Sequence, residues 1–393
     1  NIGSSAVSLG VLLGVYMGGM CLGSLLLPRR IAAVHHPLKV YAYLELGIGA
    51  FGLLVLFAVP FVGDLYTSIA SSGGPTSLIL RAVVASICLI PPTLLMGATL
   101  PAVARWVQTT PSGVSWLGYF YGGNLVGAVA GSLVAGYYLL RVYDMPTATY
   151  AAVALNVVVA LIALALSKVA PYTPPTPTTE IGGKAGSGVT LVYVAIALSG
   201  FTALGGEVVW TRLLSLLFGG TAYTFSLILA VFLIGLGIGS TIGSELARRV
   251  RSPRTALGWC QVFICVAITW AAHVTGDSLP YWPINPSIGK AASYQFQLDL
   301  LRALWVVLPA AALWGASFPL AVSAVARRGL DVGRVVGNVY AANTVGAILG
   351  SLLTSLFFVG HWGSQVAQQI LIGCSALAGL LRSEEHTSEL QSH

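Results

Sequence analysis

In the segment GGEVVWTRLLSLLFGG (205–220), Glu207 and Arg212 lie at the end of an apolar run that begins near Val189. An ionised side chain at the centre of a bilayer costs about 2.5–3.5 kcal/mol on insertion scales, so each needs a physical reason to be there. Glu207 is the deeper, and Gly205 and Gly206 before it weaken the local helix. Its choices are to be neutral, to be paired, or to face a wet cavity. Trp210 lies three residues on and shares its side of a helix. An aromatic face beside a carboxylate can hold an organic cation. Arg212 is five residues from Glu207, roughly 140° around and about 7.5 Å along a helix. Side chains meet at three or four residues instead, so the partners of both belong to other helices. Arg212 is expected to anchor its helix near the outer membrane surface, its long stem reaching the interface.

Few other residues in the apolar segments carry chemistry. Glu45 is the one other acid well inside such a segment, and it reads as a partly wet structural group or a second cavity residue. Asn124 and Asn343 occupy matched positions, with Tyr121 and Tyr340 three residues earlier on the same faces. Buried amides bond across helices or line a ligand. His273, His35 and His36 lack metal-site companions, so no metal is expected. The five cysteines (Cys21, Cys88, Cys260, Cys265, Cys374) fall inside apolar runs without a C-x-x-C pair, which reads as small buried hydrophobes. No catalytic residue and no cofactor site emerge.

The elements that must position these groups follow from composition. Of 393 residues 56% are hydrophobic and only 8% charged, against about 25% charged in soluble domains. Mean hydropathy is +0.86, and the apolar residues come in blocks of about 20, the length that crosses a bilayer. The fold class is therefore an all-α polytopic membrane protein, not a β-barrel, whose strands would alternate in short segments. Eleven spans are expected, near 8–27, 38–60, 79–104, 115–140, 146–168, 189–217, 222–246, 255–275, 300–326, 333–358 and 363–381. The outer loop 276–299, with Tyr281, Trp282, Pro283, Pro286 and Tyr294, reads as an interfacial aromatic segment or a lid. The net charge of +7 is spread over short loops, which excludes a nucleic-acid surface. One set of alternate loops carries thirteen Lys and Arg, among them Arg29, Arg30, Lys39, Arg105 and Arg248–Arg254, and the opposite set carries Arg141 and Lys290 only. Positive loops stay cytoplasmic. The expected setting is an inner or plasma membrane, with the central linker and the C-terminal end in the cytoplasm.

The sequence also repeats. GGMCLGS (18–24) aligns with IGLGIGS (234–240), PPTLLMGATLP (91–101) with PAAALWGASFP (309–319), and YGGNLVGAVAGS (121–132) with YAANTVGAILGS (340–351). The offsets are 216, 218 and 219. Three ordered matches at a nearly constant offset indicate duplication: residues 1–168 form a first membrane repeat, 169–188 a Pro- and Thr-rich cytoplasmic linker, and 189–381 a second repeat. The first repeat holds five spans and the second six. The partner of 189–217 is thus expected upstream of Asn1, giving two parallel six-helix halves with Glu207 at the interface between them. The small-residue rows Gly10/Gly14/Gly18, Gly235/Gly239/Gly243, Gly127/Gly131 and Gly346/Gly350 read as packing seams. The last residues, RSEEHTSELQSH (382–393), break the pattern and resemble an in-frame translation of a sequencing adapter, so they are set apart as an artefactual tail.

The stretch SGFTALGGEVVWTRLLSLLFGGTAYTFSLILAVFLIGLGIGS (199–240), with LMGATLP (95–101), LWGASFP (313–319) and YxxNxxGAxxGS in both halves, resembles the membrane part of proteins that fuse a major-facilitator-like bundle to a spermidine-synthase-like domain. The resemblance covers nearly all of 1–381. It implies a soluble aminopropyltransferase-like domain beyond Leu381, using decarboxylated S-adenosylmethionine, and no such strand–glycine loop–helix unit occurs in this chain. The likeness to ordinary major facilitator transporters is looser: GSELARRVR (243–251) approximates their acidic–basic loop with Glu245, while GSLLLPRR (23–30) keeps the basics without the acid. Three readings stay open: a membrane anchor of such an enzyme that also moves a polyamine or related metabolite, a free-standing transporter, or a non-transporting scaffold. The expected partners are the bilayer, the aminopropyltransferase-like domain and a small-molecule ligand.

Overall fold

The computed structural model describes residues 6–31, 35–69, 75–108, 113–170, 172, 187–282, 291–325 and 332–380. Among them there is no strand. Eleven α-helices of eighteen residues or more follow among them in order: α1 (Ala6–Arg30), α2 (Pro37–Ile69), α3 (Pro75–Gln108), α4 (Gly113–Leu133), α5 (Met145–Val169), α6 (Ser187–Phe218), α7 (Ala222–Arg249), α8 (Pro253–His273), α9 (Ala292–Val325), α10 (Val332–Leu353) and α11 (Gly363–Leu380). Nine stretches of the described residues are long and apolar enough to cross a membrane. One of these, Val335–Leu380, contains both α10 and α11, and Leu12–Leu26 is a shorter apolar helix. Helices are the expected solution, because in hydrocarbon every backbone N–H and C=O must be bonded within its own segment.

Several boundaries differ from the sequence reading. Helix α9 begins at Ala292, and π and 3-10 turns carry α8 on through Tyr281, so most of the described part of the expected 276–299 loop is helical. Pro283, Pro286, Lys290, most of the 169–188 linker and the 382–393 tail lie outside the described residues. Helices α2 and α3 are longer than the expected 38–60 and 79–104, because hydropathy locates the apolar centre of a helix and not its polar ends. The duplication extends to irregularities. Pro91 and Pro101 inside α3 match Pro309 and Pro319 inside α9. A π-helical segment, Val134–Leu139, continues α4, and another, Thr354–Trp362, continues α10.

The two matched turns that follow are built differently. Asp144 caps α5 by accepting from the Thr147 N–H at 2.9 Å. Hydrogen bonds from Thr147, side chain first and then backbone, hold its carboxyl below the usual range. Gly363 instead takes φ +82°, the left-handed conformation that glycine adopts without a Cβ penalty.

By packing, the chain forms two compact units. One is built from α1 from Val11 onward, α2, α3 and α5; the other from α4 from Gly118 onward together with α6–α11 and the first turn of α1. In the first unit α2 packs on α5 and α3. Gly23 of α1 lies so close to α3 that an added Cβ would stand 1.9 Å from the Leu94 carbonyl oxygen, and one on Gly97 would stand 2.0 Å from that of Met20. The second unit repeats this seam: a Cβ on Gly239 of α7 would meet the Ala312 oxygen at 1.7 Å, and one on Gly315 of α9 the Leu236 oxygen at 2.3 Å. In the first unit the close approach runs through Gly19 and Gly23, which the repeat aligns with Gly235 and Gly239. Helices in lipid associate through such small residues, where backbones approach closely. A large core of buried Val, Ile, Leu, Ala and Trp side chains fills the second unit.

Candidate functional site in the second unit

Helix α6 is the central element of the second unit, packing on α10, α11 and α9. Its wheel, at roughly 100° per residue, sorts these contacts. Ala197 and Phe201 meet α10, where a Cβ on Gly346 would stand 1.8 Å from the Ala197 oxygen and one on Gly350 would stand 2.1 Å from the Phe201 oxygen. Gly205 meets Leu371 of α11 and Thr354, which follows α10. Gly206 and Trp210 meet Trp314 of α9. Glu207 falls between the α9 and α10 sides, among the buried Ala203, Thr211 and Leu214 and on the side where Gly200 meets Asn343 of α10.

Glu207 is only 5% exposed, and among the described residues no hydrogen bond or ion pair reaches its carboxyl. The Thr211 hydroxyl, one turn further on the same side, is also buried without a hydrogen-bond partner. A carboxyl in this setting is neutral or takes a cation, because a bare ion away from water is costly.

Trp210 takes part differently from the sequence expectation of an aromatic face beside the carboxylate. It is fully buried, its indole N–H donates to Gln368 Oε1 at 3.2 Å, and its ring lies 5.5 Å from that of Trp314, tilted by 35°. Trp314 in turn donates to Thr202 Oγ1 at 3.1 Å and lies 5.9 Å from the Phe232 ring. This aromatic cluster ties α6 to α9, α11 and α7 and fixes the rotation that aims Glu207.

The remaining sequence candidates are dispersed. Asn343 lies against α6, its carbonyl and side-chain oxygens 2.1 and 2.8 Å from where a Gly200 Cβ would be. Tyr340 makes an edge contact with Phe318 at 6.4 Å. Asn124 is exposed on α4, and the side chain of Tyr121 lies outside the described residues. Glu45, in the first unit, shares a side-chain hydrogen bond with Tyr41. Its repeat partner Gln261 is fully buried and donates to Ser317 Oγ at 3.0 Å. Arg212 is exposed near the end of α6. Among the described residues no group of three or more His, Cys, Asp or Glu could hold a metal, and the five cysteines are unpaired. Arg302, which the sequence places within a span near its outer end, is buried and faces Asp299 at 3.8 Å on α9, a pairing the sequence reading did not make. The three-residue acid–base spacing was the available signal. The sequence reading passed over Gln368 and Thr202, whose partners lie 158 and 112 residues away.

No family model matches the chain, and no curated protein matches it by sequence. Solved structures do. A bacterial homologue of the iron transporter ferroportin in its outward-facing state aligns with TM-score 0.58 and 13% identity, covering 96% of this chain and 89% of that one. The inward-facing state gives 0.57 and 12%, covering 96% and 92%. A human organic anion transporter gives 0.53 and 17%, covering 96% and 84%. At these identities the likeness concerns the fold. Among the described residues the chain is all-helical, with nine stretches long and apolar enough to cross a membrane, and it shares the fold of these transporters.

Proposed function

We propose that this domain moves a small cationic metabolite, with Glu207 as the membrane-embedded carboxyl that receives the charge. The observation that carries this reading is a carboxyl on the central helix of the second unit that is nine-tenths buried and that no hydrogen bond or ion pair reaches among the described residues. At 4 Å a carboxylate and an ammonium attract by about 4 kcal/mol at an effective dielectric constant of 20, enough to offset much of the cost of desolvating both. A polyamine is the substrate class that the family resemblance favours. The membrane segments offer Glu207 and, in the first unit, Glu45 as acids for it. The test is uptake of labelled spermidine into proteoliposomes. Glu207→Gln keeps the volume and removes the charge, and is expected to abolish flux while the detergent melting temperature holds. Undiminished flux in Glu207→Gln and in the double variant with Glu45→Gln overturns the reading.

The motifs at 95–101, 313–319 and 199–240 favour a second element, a soluble aminopropyltransferase-like domain joined beyond Leu381. Genomic sequence past that codon tests it: a glycine-rich methyltransferase-like segment supports it and a stop codon refutes it. The proposed orientation places the 248–254 arginine cluster in the cytoplasm, and a reporter tag there reading as external refutes it.

A further inference from the structure

We propose that a cleft where α1, α2 and α3 end in the first unit binds the phosphate of an acidic phospholipid. Val40, Leu44, Ala98 and Ala102 form its apolar floor, and His35 and Arg105 stand at its polar side. Its volume is about 20 Å³, room for one or two water-sized groups. It therefore admits one or two phosphate oxygens, the remainder of the molecule lying outside.

Three features make the head an anion. Arg105 is held in place by donating from Nη1 to the Ile31 carbonyl oxygen at 3.0 Å, and a guanidinium offers five N–H donors in a fork that suits phosphate. Helix α2 starts at Pro37, which also lines the cleft, and its first turn holds no acidic residue. Its positive dipole end thus adds to the field there. Lys39, exposed in that same turn, adds a further positive charge. The closest acid along α2, Glu45, lies roughly 100° around the helix from Leu44 and is bonded to Tyr41.

The remainder of the molecule is an acyl chain. From the cleft, α2 runs on into a segment apolar enough to cross a membrane, with Tyr43, Leu54 and Phe57 more than half exposed. The cleft lies at the end of that segment, the depth at which a bilayer places its headgroups, and basic pockets between membrane helices hold acidic headgroups in this way.

The experiment is native mass spectrometry of the purified full chain in detergent, titrated with phosphatidylglycerol or phosphatidylcholine. Phosphatidylglycerol is expected to stay bound preferentially. Arg105→Gln is expected to bind it about fivefold more weakly, the worth of one basic residue at an anionic surface, and Arg105→Lys is expected to restore most of the binding. Because Arg105 also tethers Ile31, His35→Ala, a change at an exposed side chain, provides a variant that leaves packing alone and is expected to weaken binding as well. Equal retention of both lipids, unchanged binding in both Arg105→Gln and His35→Ala, or displacement of the lipid by millimolar inorganic phosphate would overturn the proposal. The last result would mark a free-anion site. The test is independent of spermidine flux, so it stands or falls apart from the proposed transport.

Discussion

The duplicated glycine seams provide an internally controlled test of how helix packing holds this fold. Gly127 and Gly346 occupy equivalent positions in the repeat, as do Gly131 and Gly350. A Cβ on Gly346 would stand 1.8 Å from the Ala197 carbonyl oxygen, whereas one on Gly127 meets nothing within 4 Å among the described residues. A carbon normally approaches a carbonyl oxygen to about 3.3–3.6 Å, so Gly346→Ala must push α10 and α6 apart by more than 1 Å. Both partners at this seam are backbone, which cannot swing aside as a flexible side chain does. Overpacking of this kind costs about 1–3 kcal/mol. At Gly127 the same change should return up to about 1 kcal/mol through helix propensity. That propensity gain applies at both helical positions, so the two variants should differ by the overpacking cost, about 1–3 kcal/mol, with Gly346→Ala the less stable, and Gly350→Ala and Gly131→Ala should reproduce the contrast. Thermal or denaturant unfolding of the four purified variants, followed by tryptophan fluorescence, measures it. Equal loss at Gly127 and Gly346 would show that the seam contacts do not govern stability and would refute the reasoning.

Two further changes probe the supports of the site. Trp210→Phe leaves the buried Gln368 amide without its donor and is expected to cost about 1–3 kcal/mol, whereas Trp210→Phe combined with Gln368→Leu should recover part of that loss in a double-mutant cycle. Gly363→Ala forces a Cβ onto a residue at φ +82° and should destabilise by about 1–2 kcal/mol, read as faster amide exchange across 360–366; unchanged exchange there would show that the turn relaxes without strain.

Much of the architecture was legible in the chain itself. Apolar blocks of bilayer length admit one kind of element, since only a helix bonds all of its own backbone in lipid. The 216–219 residue offset announced the duplication, paired prolines included, and the structure adds two π-helical segments at matched positions. The Gly235/Gly239/Gly243 and Gly346/Gly350 rows pack as seams because a missing side chain is itself a packing instruction. Glu207 stood out from the sequence for an equally simple reason, an acid in an apolar run being expensive wherever it points. Its direction could not be read that way. Helical spacing relates Glu207 to Trp210 and Thr211 but says nothing about which sector of α6 the other helices occupy. That was decided by contacts made across long separations: Gly205 with Thr354 and Leu371, Gly206 with Trp314, and Trp210 with Gln368. A periodic pattern fixes angles within one helix, whereas the choice of neighbour depends on shape and on distant hydrogen-bond partners that no local stretch encodes.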